Sequence, residues 1–277
     1  MTHYKIIKFT FFCLLILVGC NDESELKKER FEVYKLITNK NYSEALIKIN
    51  ELITKNPKSD DYYSLRSQIH FQTSNFQDAK NDIIYSLEIN PNKPLYYYLY
   101  GETLLKLNQL DSAQFQFNKC LLLDTLFADA YKERATILNI LGDFDSSFVL
   151  INKAIELDSE NAEYYNRRGI IEDSRKNFSS AVEDYTKAID LRFRTFEVYF
   201  NRGQSLGRMN KYELAIKDLS ISIQIDSTNG PSYFSRGLFY YKLNQLEKAC
   251  ADWSYGSRLN DENCKIVILN FCNRKNI

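Results

Sequence analysis

Two histidines, two methionines, four prolines, nine glycines and one tryptophan occur in 277 residues, and each shortage excludes something. His3 lies in an N-terminal leader, so His70 alone remains, too little for a His-based zinc site or a Ser-His-Asp relay. A strand-and-turn architecture needs Gly and Pro at its many reversals; their scarcity favours helices. No glycine-rich phosphate loop is present. Excess charge is missing too: 36 basic residues face 36 acidic ones, without a basic block that would attract nucleic acid. The N-terminal apolar run, Phe9 to Val18, is about half the length that spans a bilayer. With 44% hydrophobic and 26% charged residues the chain is nonetheless of folded, globular composition. These absences point to a helical protein that is not an enzyme, takes no cofactor or metal and binds no nucleic acid.

What is abundant is aromatic, 20 Tyr and 18 Phe, and the aromatics recur on a fixed step. Tyr165-Asn166-Arg167-Arg168-Gly169, Tyr199-Phe200-Asn201-Arg202-Gly203 and Tyr233-Phe234-Ser235-Arg236-Gly237 start 34 residues apart. Alanines keep the same step at Ala45, Ala79, Ala113, Ala181, Ala215 and Ala249, with Ser147 standing in once. Units beginning at residues 26, 60, 94, 128, 162, 196 and 230 cover 26–263 as seven repeats without an insertion. Within each, two stretches of helical apolar period flank a polar turn such as Leu141-Gly142-Asp143, which predicts a helix pair, A then B. One pair cannot bury its own apolar face; stacked pairs share a continuous core.

The pattern inside the unit resembles the tetratricopeptide repeat. Position 4 is Tyr63, Tyr97, Tyr131, Tyr165, Tyr199 and Tyr233, and position 8 is small: Ser67, Gly101, Ala135, Gly169, Gly203 and Gly237. Position 17 is aromatic or Leu, position 20 Ala, position 24 large and apolar, and position 27 mostly small, while the proline of position 32 survives only as Pro57 and Pro91. The first unit departs most, with Glu29 in place of the aromatic, as suits a terminal repeat. The resemblance implies an all-α, right-handed α-solenoid of seven helix-turn-helix (TPR) repeats. The segment 264–277 is expected to add a C-terminal capping helix, roughly 264–272, and a tail. Small residues at 8 and 20 let helices A and B approach, and the aromatics at 4, 17 and 24 are expected to fill the wedge between pairs. Gly203→Leu is then expected to overpack a pair and cost about 1–3 kcal/mol.

Residues 1–19 read as a lipoprotein signal peptide: Lys5 and Lys8, the apolar run, then Leu17-Val18-Gly19-Cys20. This resembles the bacterial lipobox, which implies cleavage before Cys20, diacylglycerol on its thiol, and residues 20–25 as lipidated N-terminus and linker. The alternative is an uncleaved helical anchor with an incidental cysteine. The expectation is a lipid-anchored protein of the bacterial cell envelope, at the outer membrane on its periplasmic or surface side. Several acyl chains hold stably, at about 0.8 kcal/mol per buried methylene. Loss of the leader would leave 34 basic residues against 36 acidic ones.

Position 7 carries Arg66, Arg134, Arg168, Arg202 and Arg236, and position 23 carries Asp82, Asp184, Asp218 and Asp252. Tyr100 and Gln116 replace both members in one repeat, and Arg134 is matched with Leu150. The set could suggest phosphate binding, but its repetition with the unit favours interhelical ion pairs. Of the cysteines, Cys120 sits at a core position, and Cys250, Cys264 and Cys272 cluster late in the chain without metal-type spacing. An oxidising compartment permits a Cys250–Cys272 disulfide tying the last B helix to the cap; free buried thiols are the equal alternative.

Family members usually bind an extended peptide or protein segment on the concave face lined by A helices, at positions 2, 5, 9, 12 and 13. That assigns Tyr98, Phe200, Gln204, Arg208, Phe234, Leu238 and Tyr241 to partner binding, with Phe71, Glu102, Lys132 and Asn166 along the same face. Contact of the aromatics with the next repeat or the final helix is the alternative. The Lys/Asn/Arg set of chaperone-tail-binding relatives is incomplete. The functional expectation is a membrane-anchored TPR scaffold binding a protein or peptide, in cell-envelope assembly or secretion. A ligand- or glycan-capture lipoprotein on a helical repeat frame is the second reading. It would call for long inserted loops, which the unbroken register lacks.

Overall fold

Each A helix has three residues in which to reverse into its B helix, and the same local solution recurs. Position 15 is left-handed in all seven repeats, at Lys40, Ser74, Asn108, Gly142, Lys176, Asn210 and Asn244, with φ from 58° to 84°. The following N–H reaches back five residues, from Asn75 to the His70 carbonyl at 2.8 Å and from Lys211 to that of Leu206 at 2.9 Å. This closure satisfies carbonyls that a helix end leaves without partners. Gly and Asn adopt the conformation readily; Lys40, Ser74 and Lys176 hold it because the helices on either side dictate the path.

The computed structural model describes residues 28–272, which divide after Phe127 into two compact units. The first contains α1 (28–38), α2 (Tyr42–Lys55), α3 (Asp60–Gln72), α4 (Phe76–Ile89), α5 (Pro94–Lys106) and α6 (Leu110–Leu123). The second contains α7 (Ala128–Ile140), α8 (Phe144–Leu157), α9 (Ala162–Ser174), α10 (Phe178–Asp190) and α11 (Phe196–Arg208). It continues with α12 (Tyr212–Ile225), α13 (Gly230–Lys242), α14 (Leu246–Arg258), α15 (Glu262–Val267) and a π-helical turn, Ile268–Cys272. No strand occurs among the described residues. Odd-numbered helices up to α13 are A helices and even-numbered ones B helices. Each unit is an α-solenoid in which a pair packs on the next along the chain. The signal peptide and Cys20 lie outside the described residues.

Position 24 fills the core: Ile49, Ile83, Phe117, Ile151, Tyr185, Leu219 and Trp253 are all at most 1% exposed. The residue at position 8 is matched to it in size. A Cβ on Gly101 would stand 2.6 Å from the Phe117 ring, one on Gly169 2.6 Å from that of Tyr185, and one on Gly237 2.5 Å from Trp253 Nε1. Where position 24 is the smaller Ile83 or Ile151, position 8 carries Ser67 or Ala135. Gly203 faces Leu219 and is intermediate, its added Cβ meeting Leu219 Cγ at 3.1 Å and the Ala215 carbonyl at 3.2 Å. Gly169→Ala should therefore cost about 1–3 kcal/mol by overpacking. Gly203→Ala should lie near neutral, because helix propensity returns up to about 1 kcal/mol. Urea midpoints of the two variants measure the difference; equal losses would contradict the size matching.

The tyrosines of position 4 fill the core in part, as expected, with Tyr199 and Tyr233 buried at 8% and 6% exposure. Position 3 supplies the more deeply buried rings, with Tyr62 at 5%, Tyr96 at 1% and Tyr164 at 2% exposure. Tyr63 and Tyr165 lie nearer the edge, and three position-4 hydroxyls donate to the turn between repeats: Tyr63 to the Pro57 carbonyl at 3.2 Å, Tyr165 to that of Ser159 at 3.1 Å and Tyr233 to that of Ser227 at 3.3 Å. A phenol needs a partner for its hydroxyl, which a position at the rim of the core provides.

The closing helix starts earlier than 264, because Asp261 caps it, accepting from Cys264 N–H at 2.8 Å. The structure joins Cys250 of α14 to Cys272 at a Cα separation of 5.7 Å. Cys120 and Cys264 are buried thiols, each pushed up to about 12 by desolvation. Cys272→Ser should lower stability by about 3 kcal/mol through loss of the chain constraint. Cys120 and Cys264 should resist alkylation at pH 8 until the chain unfolds. Four alkylated cysteines in the folded, unreduced protein would contradict both expectations.

Candidate partner-binding site

The arginine ladder is committed to the scaffold. Nε and Nη2 of each arginine clasp one carboxylate: Arg66 on Asp82 at 2.8 and 2.7 Å, Arg168 on Asp184 at 2.9 and 2.6 Å. Arg202 on Asp218 (2.7 and 2.8 Å) and Arg236 on Asp252 (2.8 and 2.7 Å) repeat the geometry. Nη1 reaches back to the preceding B helix, to Asn50, Asn152, Thr186 and Ser220. Each guanidinium also lies 5.3–5.8 Å from the position-4 ring of its own repeat. One arginine thus ties three helices, and its fork is already engaged by carboxylate, leaving little for an external phosphate. Arg134, matched with Leu150, forms no ion pair among the described residues; burial pulls its guanidinium below the ordinary value.

The residues assigned to the A-helix face separate in the structure. Tyr98 is 9% exposed, packed on Phe117 and Phe127 with ring centroids 5.8 and 5.0 Å away, so it is a core residue of the first unit and not an exposed anchor. Lys132 is also buried, its Nζ 2.9 Å from Glu133 and 3.1 Å from Glu163. Phe234 packs against Trp253 and Cys264, and Tyr241 lies 6.1 Å from Trp253 and 5.0 Å from Phe271, ring to ring. Phe234 is thus partly covered by the closing segment, while Tyr241 touches it and remains 37% exposed. Leu238 leans on the core around Leu206 and Phe239. Gln204 is half-buried, and the exposed Arg208 lies over the Phe178 ring at 5.6 Å.

Two hollows open on A-helix faces. In the first unit Ile37, Gln68, Phe71, Leu99 and Glu102 line one of about 180 Å³ between α1, α3 and α5. In the second unit a cleft of about 560 Å³ runs across α9, α11 and the start of α13. Asn166, Ile170 and Phe200 line it at positions that the periodicity assigns, together with Arg167, Phe193 and Thr195, which the assigned positions omit. Phe193 and Thr195 lie in the link after the fifth repeat, which ends, like the seventh at Asn260, in a left-handed residue after a 13-residue B helix. Position 31 is Asn or Asp in six repeats, and Asp124, Asp158 and Asp226 fold their side chains onto the backbone two residues on. The fifth repeat has Arg192, left-handed at φ 71°, after a B helix that stops at Asp190. That substitution was visible in the sequence as the one break in a column of Asx residues.

Deeper on this face Asp173 accepts from Ser205 Oγ at 2.6 Å and Tyr185 OH at 2.8 Å, while burial pushes its carboxyl above the usual range. Its bonds are internal, linking α9, α10 and α11. Among the described residues no group of His, Cys, Asp or Glu is arranged to hold a metal ion, and no helix is long and apolar enough to cross a membrane.

Comparison with known proteins agrees with the repeat. The family model described as tetratricopeptide repeat matches residues 162–195 and 196–229, and that of anaphase-promoting complex, cyclosome, subunit 3 matches 38–133. Human sperm-associated antigen 1 is 25% identical over 123 residues, which is 44% of this chain and only 13% of that protein. The structure is similar to Cut9–Hcn1, a hetero-tetramer of the APC/C, with a TM-score of 0.76 at 12% identity, over 86% of this chain and 47% of that chain. It is also similar to YrrB, described as a TPR protein with an unusual peptide-binding site, at 0.56 and 18% identity, over 68% of this chain and 97% of that one. At such identities the structural likeness is one of fold. Repeat period, helix-pair packing and family matches together establish that the chain belongs to the tetratricopeptide-repeat family.

Proposed function

We propose that this chain is a lipid-anchored scaffold of the bacterial cell envelope, holding a protein or peptide partner on its concave, A-helix face during envelope assembly or secretion. The observation that carries the partner reading is the cleft on α9, α11 and α13, where aromatic side chains and hydrogen-bonding groups meet on the surface that faces away from the B helices. The peptide-binding site named for YrrB and the assembly named for Cut9–Hcn1 are in keeping with it. The tether rests on Leu17-Val18-Gly19-Cys20.

Photoreactive groups at Phe200 and at Leu214, the latter 53% exposed on the B helix of the same repeat, test the partner face in the native cell. A protein trapped from Phe200 and not from Leu214 supports the reading; the reverse overturns it. Cys20→Ser should shift the protein from the membrane to the soluble fraction and abolish labelling by an alkynyl fatty acid. Unchanged fractionation of that variant would sink the tether.

A further inference from the structure

In α3, positions 3, 6 and 10 pack on the repeat before. They are Tyr62, Leu65 and Ile69, at most 5% exposed and set into one core with Val33 and Ile49 of the first repeat. The array of repeats begins at α1, and there the same positions are Lys28, Phe31 and Lys35, all exposed. A terminal repeat needs a polar outer face to stay soluble, and two lysines supply it. Phe31 does not serve that purpose: it stands 61% exposed, with Tyr34 one helical turn on at 46%.

The charges of α1 sort by sign. Glu29 is held by Lys55 at 2.7 Å and Glu32 by Lys48, so the rung of the ladder runs with its signs reversed in this repeat. Arg30 is taken by Asp61 at 2.8 Å. Lys28 and Lys35 form no ion pair among the described residues, and Lys35 Nζ lies 5.5 Å from the centre of the Phe31 ring. The exposed face of α1 therefore offers aromatic rings flanked by two unpaired ammonium groups, a composition that settles at the boundary between lipid headgroups and acyl chains. Asp22, Glu23 and Glu25 precede it in the linker and leave the N-terminal region without a positive excess, so the lysines act on individual lipid phosphates and not through a bulk field.

The chain itself brings that boundary within reach. Lys28 follows Cys20 by eight residues, which span at most about 29 Å when fully extended. We infer that the outer face of α1 docks on the bilayer that holds the lipid anchor, with Phe31 and Tyr34 at the headgroup boundary and the Lys28 and Lys35 ammonium groups donating to lipid phosphates. The lysine stems lie along apolar surface while their heads reach the phosphates. The inference rests on the tether reading and adds how the first repeat is held against the membrane.

The test uses the lipidated full chain in vesicles of phosphatidylethanolamine with phosphatidylglycerol as the minor lipid, with and without lipid brominated near the headgroup end of its acyl chains. Phe31→Trp and Tyr34→Trp each place an indole on the face, and Phe115→Trp, at a ring 56% exposed on α6, is the control. The unsubstituted chain gives the background from Trp253. Bromolipid should quench the introduced indole of the first two variants by about half or more, because an interfacial ring lies about 5–10 Å deep, and should leave that of Phe115→Trp unquenched. Lys28→Glu with Lys35→Glu in the Phe31→Trp chain should remove most of that quenching. Equal quenching in all three variants, or quenching that survives the charge reversal, overturns the docking. If the chain floats with the vesicles through its lipid yet neither α1 probe is quenched, the docking falls and the tether stands; if it carries no lipid and stays off the vesicles, both fall.

Discussion

Trp253→Ala is expected to destabilise the protein by about 3–5 kcal/mol, the range for emptying a core of its largest ring. Trp253 is 1% exposed and is the only tryptophan in the chain. Its indole N–H donates to the Phe234 carbonyl at 3.1 Å, and the ring lies against Gly237, with Tyr241 and Phe271 both 6.1 Å away. Alanine removes the packing and the second hydrogen bond to a carbonyl that the ladder of α13 already engages. Gly237 cannot close the gap, since it has no side chain to move. Because a repeat is supported only by its neighbours, the loss should appear first as fraying of α13 to α15, ahead of the rest of the second unit. Urea unfolding followed by far-ultraviolet circular dichroism gives the magnitude, and limited proteolysis gives the place. A loss below about 1 kcal/mol would mean that the closing helix repacks over the gap.

Asp218→Ala should cost about 3 kcal/mol, the lower end of the range for breaking a buried pair, because Arg202 keeps some contact with water. The side chains of Arg202 and Asp218 are 19% and 5% exposed, and the pair is bidentate. Truncating the acid strands a guanidinium that also holds Thr186 of the preceding B helix, at 3.1 Å from Nη1. The double variant Arg202→Met, Asp218→Leu should recover most of the loss, since neither charge is then left desolvated. A double-mutant cycle measures the coupling. Additive losses, with no coupling, would show that the ladder is incidental to stability.

The period of 34 residues made the helix pairs, their boundaries and the core columns at positions 20 and 24 legible in advance, because apolar periodicity and small-residue placement report burial directly. The size matching of positions 8 and 24 was less open to reading. It is a relation between two columns, visible in Gly169 with Tyr185 only once the helices are seen to cross there. The partner face was the hardest. Position in the repeat says which side of a helix a residue occupies, yet Tyr98 is buried against Phe117 and Phe127, while Phe200 and Phe234 each pack in part on a core cluster, a difference fixed by the residues of the adjoining repeat. Arg167 and Thr195 escaped notice because neither belongs to the repeating set. The signal was the break at Arg192, where six other repeats hold Asn or Asp.

The pairing of a bare position 8 with a ring at position 24 also bears on how such a chain can be cut and recombined. Gly169 and Tyr185 sit 16 residues apart on different helices of one pair, as do Gly237 and Trp253. A chimera joined between them would set Tyr185 against an alanine or serine brought from another repeat, or leave Gly169 opposite an isoleucine with space to spare. Splices at the turns between repeats keep both halves of the match together. The smallest exchangeable part of this protein is therefore the helix pair, and repeats that look interchangeable by their outline are keyed individually from within.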